Sequence, residues 1–343
     1  MRVGIDARKI ADFGIGTYIR GLLGGLVSLD SGDEYIAFAP AGAAIPPAVA
    51  NIVEHIVLDA PHYSVRELIT LGRAADRARL DVFHAPHYVV PFTHVPLVVT
   101  IHDLIHLHQP MHLRRAILNP LAPLYARAMI RRAIKHARCV LTVTETVKAQ
   151  LETELGAKNV IVTPNGVTVP STADRRPPTA DSFLYVGNDK PHKNVDKLIE
   201  AFTRIPNARL ILAGAPFDRF RGHERIDVRG FVSEDELSAL YRNAIALVMP
   251  SLEEGFGLPA AEAMAHGTAV ITSNAPALVE VTGDAALHAD ARDAGALAAA
   301  MMRLARDGDL RAMLGAKGIE RARHFTWTRC AEITRDAYRM AVK

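Results

Sequence analysis

Short, mainly apolar runs alternate with longer amphipathic stretches along the whole chain. In the first half the runs are Val3–Ile5, Tyr35–Phe38, Ile52–Leu58, Val82–His84, Leu97–Thr100 and Val140–Val143. Helical patterns separate several of them, among them Gly14 to about Leu29, Ser64 to Arg79 and Leu113 to His136. Strands alternating with helices predict a parallel sheet covered on both faces. The pattern then restarts. Val160–Val167 delivers a Pro-Asn-Gly turn, and Pro170 to Asp181 is polar, proline-bearing and without period, which marks a domain boundary. Beyond it Phe183–Val186, Leu210–Ala213, Ile226–Val228, Ala244–Met249 and Ala269–Thr272 read as a second set of strands. Helices are expected from about Asn194, from Ser233 (Ser-Glu-Asp-Glu, a capping box), at Pro276–Glu280, and over Asp293–Arg306, Leu310–Arg323 and Trp327–Met340. The fold class is therefore α/β, with two Rossmann-like domains at 1–168 and 169–325. A final helix, 326–343, is expected to cross back to the first.

Composition changes this picture little. The 343 residues are 49% hydrophobic and 22% charged, and the formal net charge of +3 is too small to imply nucleic acid. Two cysteines, Cys139 and Cys330, stand far apart, which argues for a reducing compartment and against a disulfide framework or a structural zinc site. Met1–Asp6 already reads as a strand, so no leader is expected, and no apolar stretch approaches the length of a membrane span. The expected location is the cytoplasm.

The chemistry concentrates at Pro250-Ser-Leu-Glu-Glu-Gly-Phe-Gly-Leu-Pro-Ala-Ala-Glu-Ala-Met-Ala-His-Gly267. A strand ends at Pro250, a polar turn follows, and a helix starts near Leu258 with Pro259 in its first turn and Gly267 at its exit. The backbone amides of Gly255, Phe256 and Gly257 then lie at a helix N-terminus, where phosphate binds readily. Glu254 sits in the turn, and Glu262 one turn inside the helix. Two carboxylates beside an anion site suit a ligand that carries hydroxyls as well as phosphate; otherwise they are a capped helix's solvated end. A second candidate is Gly187-Asn-Asp-Lys-Pro-His-Lys-Asn194, where Lys190 and Lys193 overhang a strand-end turn as a clamp for diphosphate.

In the first half, His84 with His87, His102-Asp103 and Thr144-Glu145 fall at strand ends, where parallel sheets gather ligands. His102 follows Val98–Ile101 directly and is placed to hydrogen-bond a sugar or phosphate; capping the Asp103 loop is its bland alternative. Gly14-Ile-Gly-Thr-Tyr18 suits close approach of backbone to a ligand, and tight packing explains it equally well. His102, His106, His108 and His112 lack a clear helix to align them and the glutamate of a hydrolytic zinc helix, so no metal is expected there. Residues 113–138 carry Arg114, Arg115, Arg127, Arg131, Arg132, Lys135 and Arg138 among apolar positions, with Pro120 and Pro123 expected to break the helix in two. Such a surface is either a solvated helix face or a contact for an anionic membrane.

The stretch 250–267 resembles the E-x7-E signature of the retaining glycosyltransferase family 4, of GT-B fold. Gly14–Thr17, Thr100-Ile-His-Asp-Leu104, Thr163-Pro-Asn-Gly-Val167 and Tyr185–Asn194 resemble its other marks in the right order. The resemblance implies two Rossmann-like domains facing across a cleft, the first binding acceptor and the second a nucleotide-sugar such as GDP-mannose. It gives Glu254 the donor-sugar hydroxyls, Glu262 the ribose, and Gly255, Phe256, Gly257 and Leu258 the distal phosphate and sugar. It gives Lys193 the pyrophosphate, His102 the donor sugar near the reacting carbon, Gly16 the phosphates, and Phe231 and Val232 the neighbourhood of the base. One position departs: many members carry arginine where this chain has Asn188, and Lys190 is the expected replacement for its charge.

The implied reaction retains configuration on one face of the sugar. The leaving phosphate helps to take the acceptor's proton, with no metal and no protein nucleophile. The expected acceptor is a glycan or lipid-linked saccharide, met around His87, His102 and the loop to His112. Two alternatives stay open: a sugar-nucleotide hydrolase or epimerase, and a non-catalytic binding or scaffolding protein of the same fold.

Overall fold

The computed structural model describes residues 1–43, 45–50, 53–58, 65–108, 122–169, 181–215 and 217–343. His112, the first part of the basic stretch (113–121, with Pro120) and most of the expected linker lie outside the described residues. Two compact units emerge: Met1–Gly166 together with Trp327–Lys343, and Val167–Thr326.

The first unit is built on seven strands: β1 (Arg2–Asp6), β2 (Glu34–Ala39), β3 (Glu54–Val57), β4 (Val82–Ala85), β5 (Leu97–Thr100), β6 (Cys139–Thr142) and β7 (Val160–Val162). Their order is β3-β2-β1-β4-β5-β6-β7, and every pairing is parallel. Order reverses between β1 and β4, the place where such sheets take ligands. Strands β4, β5 and β6 are buried along their full length, as strands covered on both faces must be. One face is covered by Ile19, Leu22, Leu23 and Leu26 of the helix Ile15–Ser28, with Cys330, Ala331, Ala337 and Tyr338 of the helix Trp327–Val342. The other carries Leu68, Leu71 and Ala75 from the helix Val65–Arg77, with Ile130 and Ala133 from Ala122–His136 and Val147 and Leu151 from Glu145–Leu155.

Local rules set the ends. Thr144 accepts from the Val147 amide at 3.2 Å to start Glu145–Leu155, and Gly156 at φ 64° closes it. The chain's one tryptophan, Trp327, enters the last helix through a seat of glycines. A Cβ on Gly21 would meet its ring at 2.1 Å, and one on Gly25 or Gly166 its backbone at 2.4 and 2.3 Å. Nothing larger than glycine fits at these three positions.

The second unit has six parallel strands: β8 (Ser182–Gly187), β9 (Arg209–Gly214), β10 (Ile226–Gly230), β11 (Ala244–Met249), β12 (Val270–Ser273) and β13 (Ala286–Ala289), in the order β10-β9-β8-β11-β12-β13. Here the reversal lies between β8 and β11. Three particulars differ from the sequence reading. Strand β13 was not expected: Ala-Leu-His-Ala offers one large apolar residue, and pairing with β12 makes it a strand. Strand β7 ends at Val162, and the Val167 amide beyond it donates to the Phe325 carbonyl at 2.9 Å. Among the described residues the basic helix begins at Ala122, with Pro123 inside its first turn, where a missing N–H costs little.

Candidate functional site

Strands β8 and β11 are neighbours, and each releases a loop at its C-terminal end. The 188–194 and 250–257 loops are tied together at several points. The Leu252 amide donates to the His192 carbonyl at 2.7 Å. Asn194 Nδ2 donates to the carbonyls of Pro250 at 3.1 Å and Ala291 at 2.7 Å. Ser273 Oγ, at the end of β12, donates to the Ser251 carbonyl at 2.5 Å. The helix Val195–Phe202 starts directly after Asn194, as its expected start near this residue required. Asn194 stands at the capping position in the left-handed region, φ 58°, and spends its amide on the neighbouring loop.

The pair these ties set up is Lys193 Nζ and Glu254 Oε1, 2.6 Å apart, with side chains only 16% and 8% exposed. Glu254 precedes Gly255, Phe256 and Gly257. Phe256 is buried against Phe325, with ring centroids 5.3 Å apart, so its side chain belongs to the core and only its backbone is left for a ligand. Gly257 has φ 86°, and a Cβ there would lie 2.4 Å from Leu278 Cδ2. Glycine is therefore required twice over, by conformation and by space. The helix Leu258–Ala265 starts here with Pro259 in its first turn and no side-chain cap, an electropositive helix end of the kind that takes anions.

Glu262 is half-buried, one turn inside that helix. Its Oε2 accepts the Tyr241 hydroxyl at 2.7 Å. Burial pushes this carboxyl up to about 7, with Glu234 adding to the rise and the Tyr241 hydrogen bond opposing it. A solvated helix end does not describe such a group.

The 188–190 turn is held from the side. Asp189 takes a two-pronged ion pair from Arg219, at 2.7 and 2.6 Å, and Arg219 also reaches Asp196. Asn188 Oδ1 accepts the Lys190 amide at 3.2 Å, while the Asn188 carbonyl accepts the Tyr185 hydroxyl at 2.8 Å. Lys190 itself is exposed. Phe231, 70% exposed, and half-buried Val232 follow the edge strand β10.

In the first unit His102 follows β5, its Nε2 3.2 Å from the Pro86 carbonyl and its ring edge-on to Tyr18 at 4.7 Å. Burial lowers its pKa, against Asp103 and the Pro86 contact. Behind it lies a buried chain: the Tyr18 hydroxyl is 3.0 Å from Thr100 Oγ1, which is 2.8 Å from His84 Nε2, and His84 Nδ1 is 2.7 Å from the Tyr338 hydroxyl. Burial, helped by His102, takes His84 down to about 3, so the imidazole is a neutral structural link. His87 is buried too and accepts the Val89 amide on Nδ1 at 3.2 Å. Gly16 packs on its own loop: a Cβ there would lie 2.4 Å from the Ile10 carbonyl oxygen. Arg8, nine-tenths buried, pairs with Asp6 at 2.7 Å and Glu67 at 2.9 Å beside the end of β1.

The structure thus brings Lys193, Glu254, Gly255–Leu258 and Glu262 around one helix end, next to the 188–190 turn. Amides, an ammonium and two carboxylates on one rigid frame are equipped for a diphosphate flanked by hydroxyl-bearing rings. Sequence reasoning missed Asn194, Arg219 and Tyr241 as parts of this frame. Of the three, only Asn194 carried a local signal, since asparagine tolerates the left-handed region. Among the described residues no group of three or more His, Cys, Asp or Glu is arranged to hold a metal ion. No helix among them is long and apolar enough to cross a membrane.

Comparison with known proteins matches residues 14–169 to Glycosyltransferase Family 4 and residues 173–321 to Glycosyl transferases group 1. O-antigen chain mannosyltransferase B of Escherichia coli is 27% identical over 76% of this chain and 74% of that protein. O-antigen chain mannosyltransferase RfbU of Salmonella typhimurium is 28% identical over 60% of each. Among solved structures, sucrose-phosphate synthase from Thermosynechococcus elongatus superposes with a TM-score of 0.81 over 99% of this chain and 98% of that one, at 22% identity. The likeness establishes the GT-B-like pair of Rossmann units.

Proposed function

The chain belongs to the glycosyltransferases of family 4 and group 1, enzymes that move a sugar from a nucleotide-sugar to an acceptor, and from that premise we propose that it is a retaining hexosyltransferase. Mannose is the first candidate for the sugar and GDP-mannose for the donor, since two relatives are mannosyltransferases by name. The observation that carries the donor side is the Lys193–Glu254 pair, 2.6 Å, at the N-terminus of Leu258–Ala265, with Glu262 one turn on.

Without donor, Lys193 and Glu254 neutralise each other. With donor bound, Glu254 exchanges the ammonium for sugar hydroxyls, and Lys193 turns to the diphosphate. Backbone amides of Gly255, Phe256, Gly257 and Leu258 take the distal phosphate, and Glu262 takes the ribose diol. Lys190 supplies the charge that Asn188 lacks, Phe231 and Val232 border the base, and Gly16 lines the phosphates. His102 is assigned to the transferred sugar on the resemblance of Thr100–Leu104. In the reaction the bond from the anomeric carbon to the phosphate oxygen breaks, and the acceptor oxygen bonds that carbon on the same face. The acceptor's proton passes to the departing phosphate. Lys193 and the helix amides stabilise the charge that grows there, so neither a metal nor a protein nucleophile is invoked.

For the acceptor we propose a glycan or a lipid-linked saccharide, handled by the first unit around His87 and His102. Arg127, Arg131 and Lys135 form an exposed basic line on the helix Ala122–His136, spaced four apart on one face. It suits an anionic membrane surface on the cytoplasmic side.

Calorimetry against GDP-, UDP-, ADP- and dTDP-sugars, with Glu262→Ala alongside, tests the donor site. Micromolar binding of one nucleotide, weakened at least tenfold in the variant, is the expected result (about 1.4 kcal/mol or more). Folded protein that binds none of them overturns it.

A further inference from the structure

Glu262 is a half-buried carboxylate on a side chain with three rotatable bonds, and a ribose diol asks it to present its oxygens in one fixed plane. Something must hold it. Among the described residues the only hydrogen-bond donor to this carboxylate is the Tyr241 hydroxyl, 2.7 Å from Oε2. Tyr241 is 1% exposed and lies on a different helix, Glu234–Asn243. Its ring is tilted against His266 at 5.2 Å, and its carbonyl accepts Thr268 Oγ1 at 2.7 Å. His266 in turn is fixed at both nitrogens, Nδ1 2.8 Å from the Glu262 carbonyl and Nε2 3.2 Å from Ser238 Oγ. The phenol is therefore a stiff, buried donor on a braced frame, aimed at one carboxylate oxygen and leaving the other for a ligand.

We infer that Tyr241 is the positioning residue that makes this site selective for ribose: it orients Glu262 and keeps it an acceptor, so that the 2′- and 3′-hydroxyls of the donor nucleotide are read. The inference rests on the donor-site reading above and extends it to a residue outside the E-x7-E stretch. The physical reason is twofold. A pre-oriented carboxylate loses less rotamer freedom when the diol arrives. The hydroxyl's hydrogen bond also opposes the rise that burial imposes on this carboxyl, and so favours the carboxylate over the neutral acid, whose O–H is a donor where two acceptors are needed. Tyr241 is 1% exposed and its hydroxyl is spent on Glu262, so its removal is expected to act on the diol term and leave the diphosphate term in place.

The test uses matched pairs: GDP, UDP and ADP, each with its 2′,3′-dideoxy form, titrated into wild-type protein, Tyr241→Phe, Glu262→Gln and the double variant. Removing one hydroxyl from a buried ring keeps its packing, and thermal denaturation of each variant reports the fold separately. Wild type is expected to prefer the ribose form of the nucleotide it binds by about ten- to a hundredfold, the range of hydrogen bonds to a charged group. Tyr241→Phe is expected to bring that preference to about threefold or less, with dideoxy affinity unchanged. The double variant is expected to lose no more than Glu262→Gln, as two members of one unit do. Tyr241→Phe with the wild-type preference overturns the inference. So does an equal loss for both members of a pair with a lowered Tm, which marks a merely structural hydroxyl. Wild-type protein that binds a nucleotide without preferring its ribose form overturns the diol role of Glu262, and binding of none overturns the donor site itself.

Discussion

A carboxyl group that ionises near pH 7 is uncommon on a helix surface, and Glu262 owes it first to burial and then to Glu234. Its folded value, about 7, lies above the ordinary 4.5, so the sign for stability and the sign for binding differ. For stability, the contribution is fully present below about pH 4.5 and is lost as pH rises through about 7, because the folded chain holds the proton more tightly. For ribose the carboxylate is the competent form, so donor affinity is expected to rise between about pH 6 and 7.5 and then level off, with a proton released on binding at the lower end. The groups facing it are Tyr241 and Glu234 from one helix and His266 from its own. Burial, with Arg242 adding to it, lowers the His266 imidazole against the Glu262 carbonyl contact. Calorimetry of a nucleotide-sugar over pH 5.5–8.5 checks this; a profile in Glu262→Gln that keeps the same slope refutes the assignment. At this scale the placing of Glu254 and Glu262 about one helix start, and of Lys193 beside another strand-end turn, was legible in the sequence, because short spacings along a strand-turn-helix carry their own geometry. Tyr241 was not, twenty-one positions from the residue it serves, since nothing local ties the two.

Among the elements, the helix Ala122–His136 divides cleanly. Ala126, Ile130 and Ala133 are buried, Arg127, Arg131 and Lys135 are exposed, and Leu124 is 64% exposed. Arg132 is not part of the basic line: it donates to the Val90 and Pro91 carbonyls and stacks 4.2 Å over Phe92. Near an anionic surface each such charge is worth about 1 kcal/mol. Replacing Arg127, Arg131 and Lys135 by Ala is therefore expected to weaken co-sedimentation with phosphatidylglycerol vesicles by about a hundredfold. Pure phosphatidylcholine vesicles should bind neither protein. Equal binding of both proteins to the anionic vesicles removes the membrane role and leaves a solvated face. Strands with several large apolar residues, such as β4, β5, β6 and β11, were legible from the chain alone. Strand β13 was not, because an edge strand with a single large apolar residue takes its identity from its neighbour.

For the whole molecule, the first unit is discontinuous: its sheet is made by residues up to Gly166, and the helix that covers one face comes from Trp327–Lys343. The lock between them is Trp327 against Gly21, Gly25 and Gly166, reinforced by the Tyr338–His84 hydrogen bond. Trp327→Ala is expected to destabilise the first unit by about 3 kcal/mol, in the range of large aromatic deletions, as read by urea denaturation followed by circular dichroism. A change under about 1 kcal/mol would show that the glycine seat is not a keystone. The two-part α/β architecture was legible from the alternation of runs. The glycines that receive Trp327 were not, because a glycine in a helix, as at Gly21 and Gly25, or in the Pro-Asn-Gly stretch, as at Gly166, announces small size but not its guest.

The same discontinuity sets a timetable during synthesis. When Gly166 has left the ribosome, every strand of the first sheet exists, yet Ile19, Leu22, Leu23 and Leu26 have no outer layer on the side where the last helix packs. The chain must then translate all of Val167–Thr326 before Trp327 emerges, on the order of ten seconds at ordinary elongation rates. The unit begun first is thus completed last. In that interval the nascent protein carries an uncovered apolar face, which makes it a natural client for a chaperone at the tunnel exit.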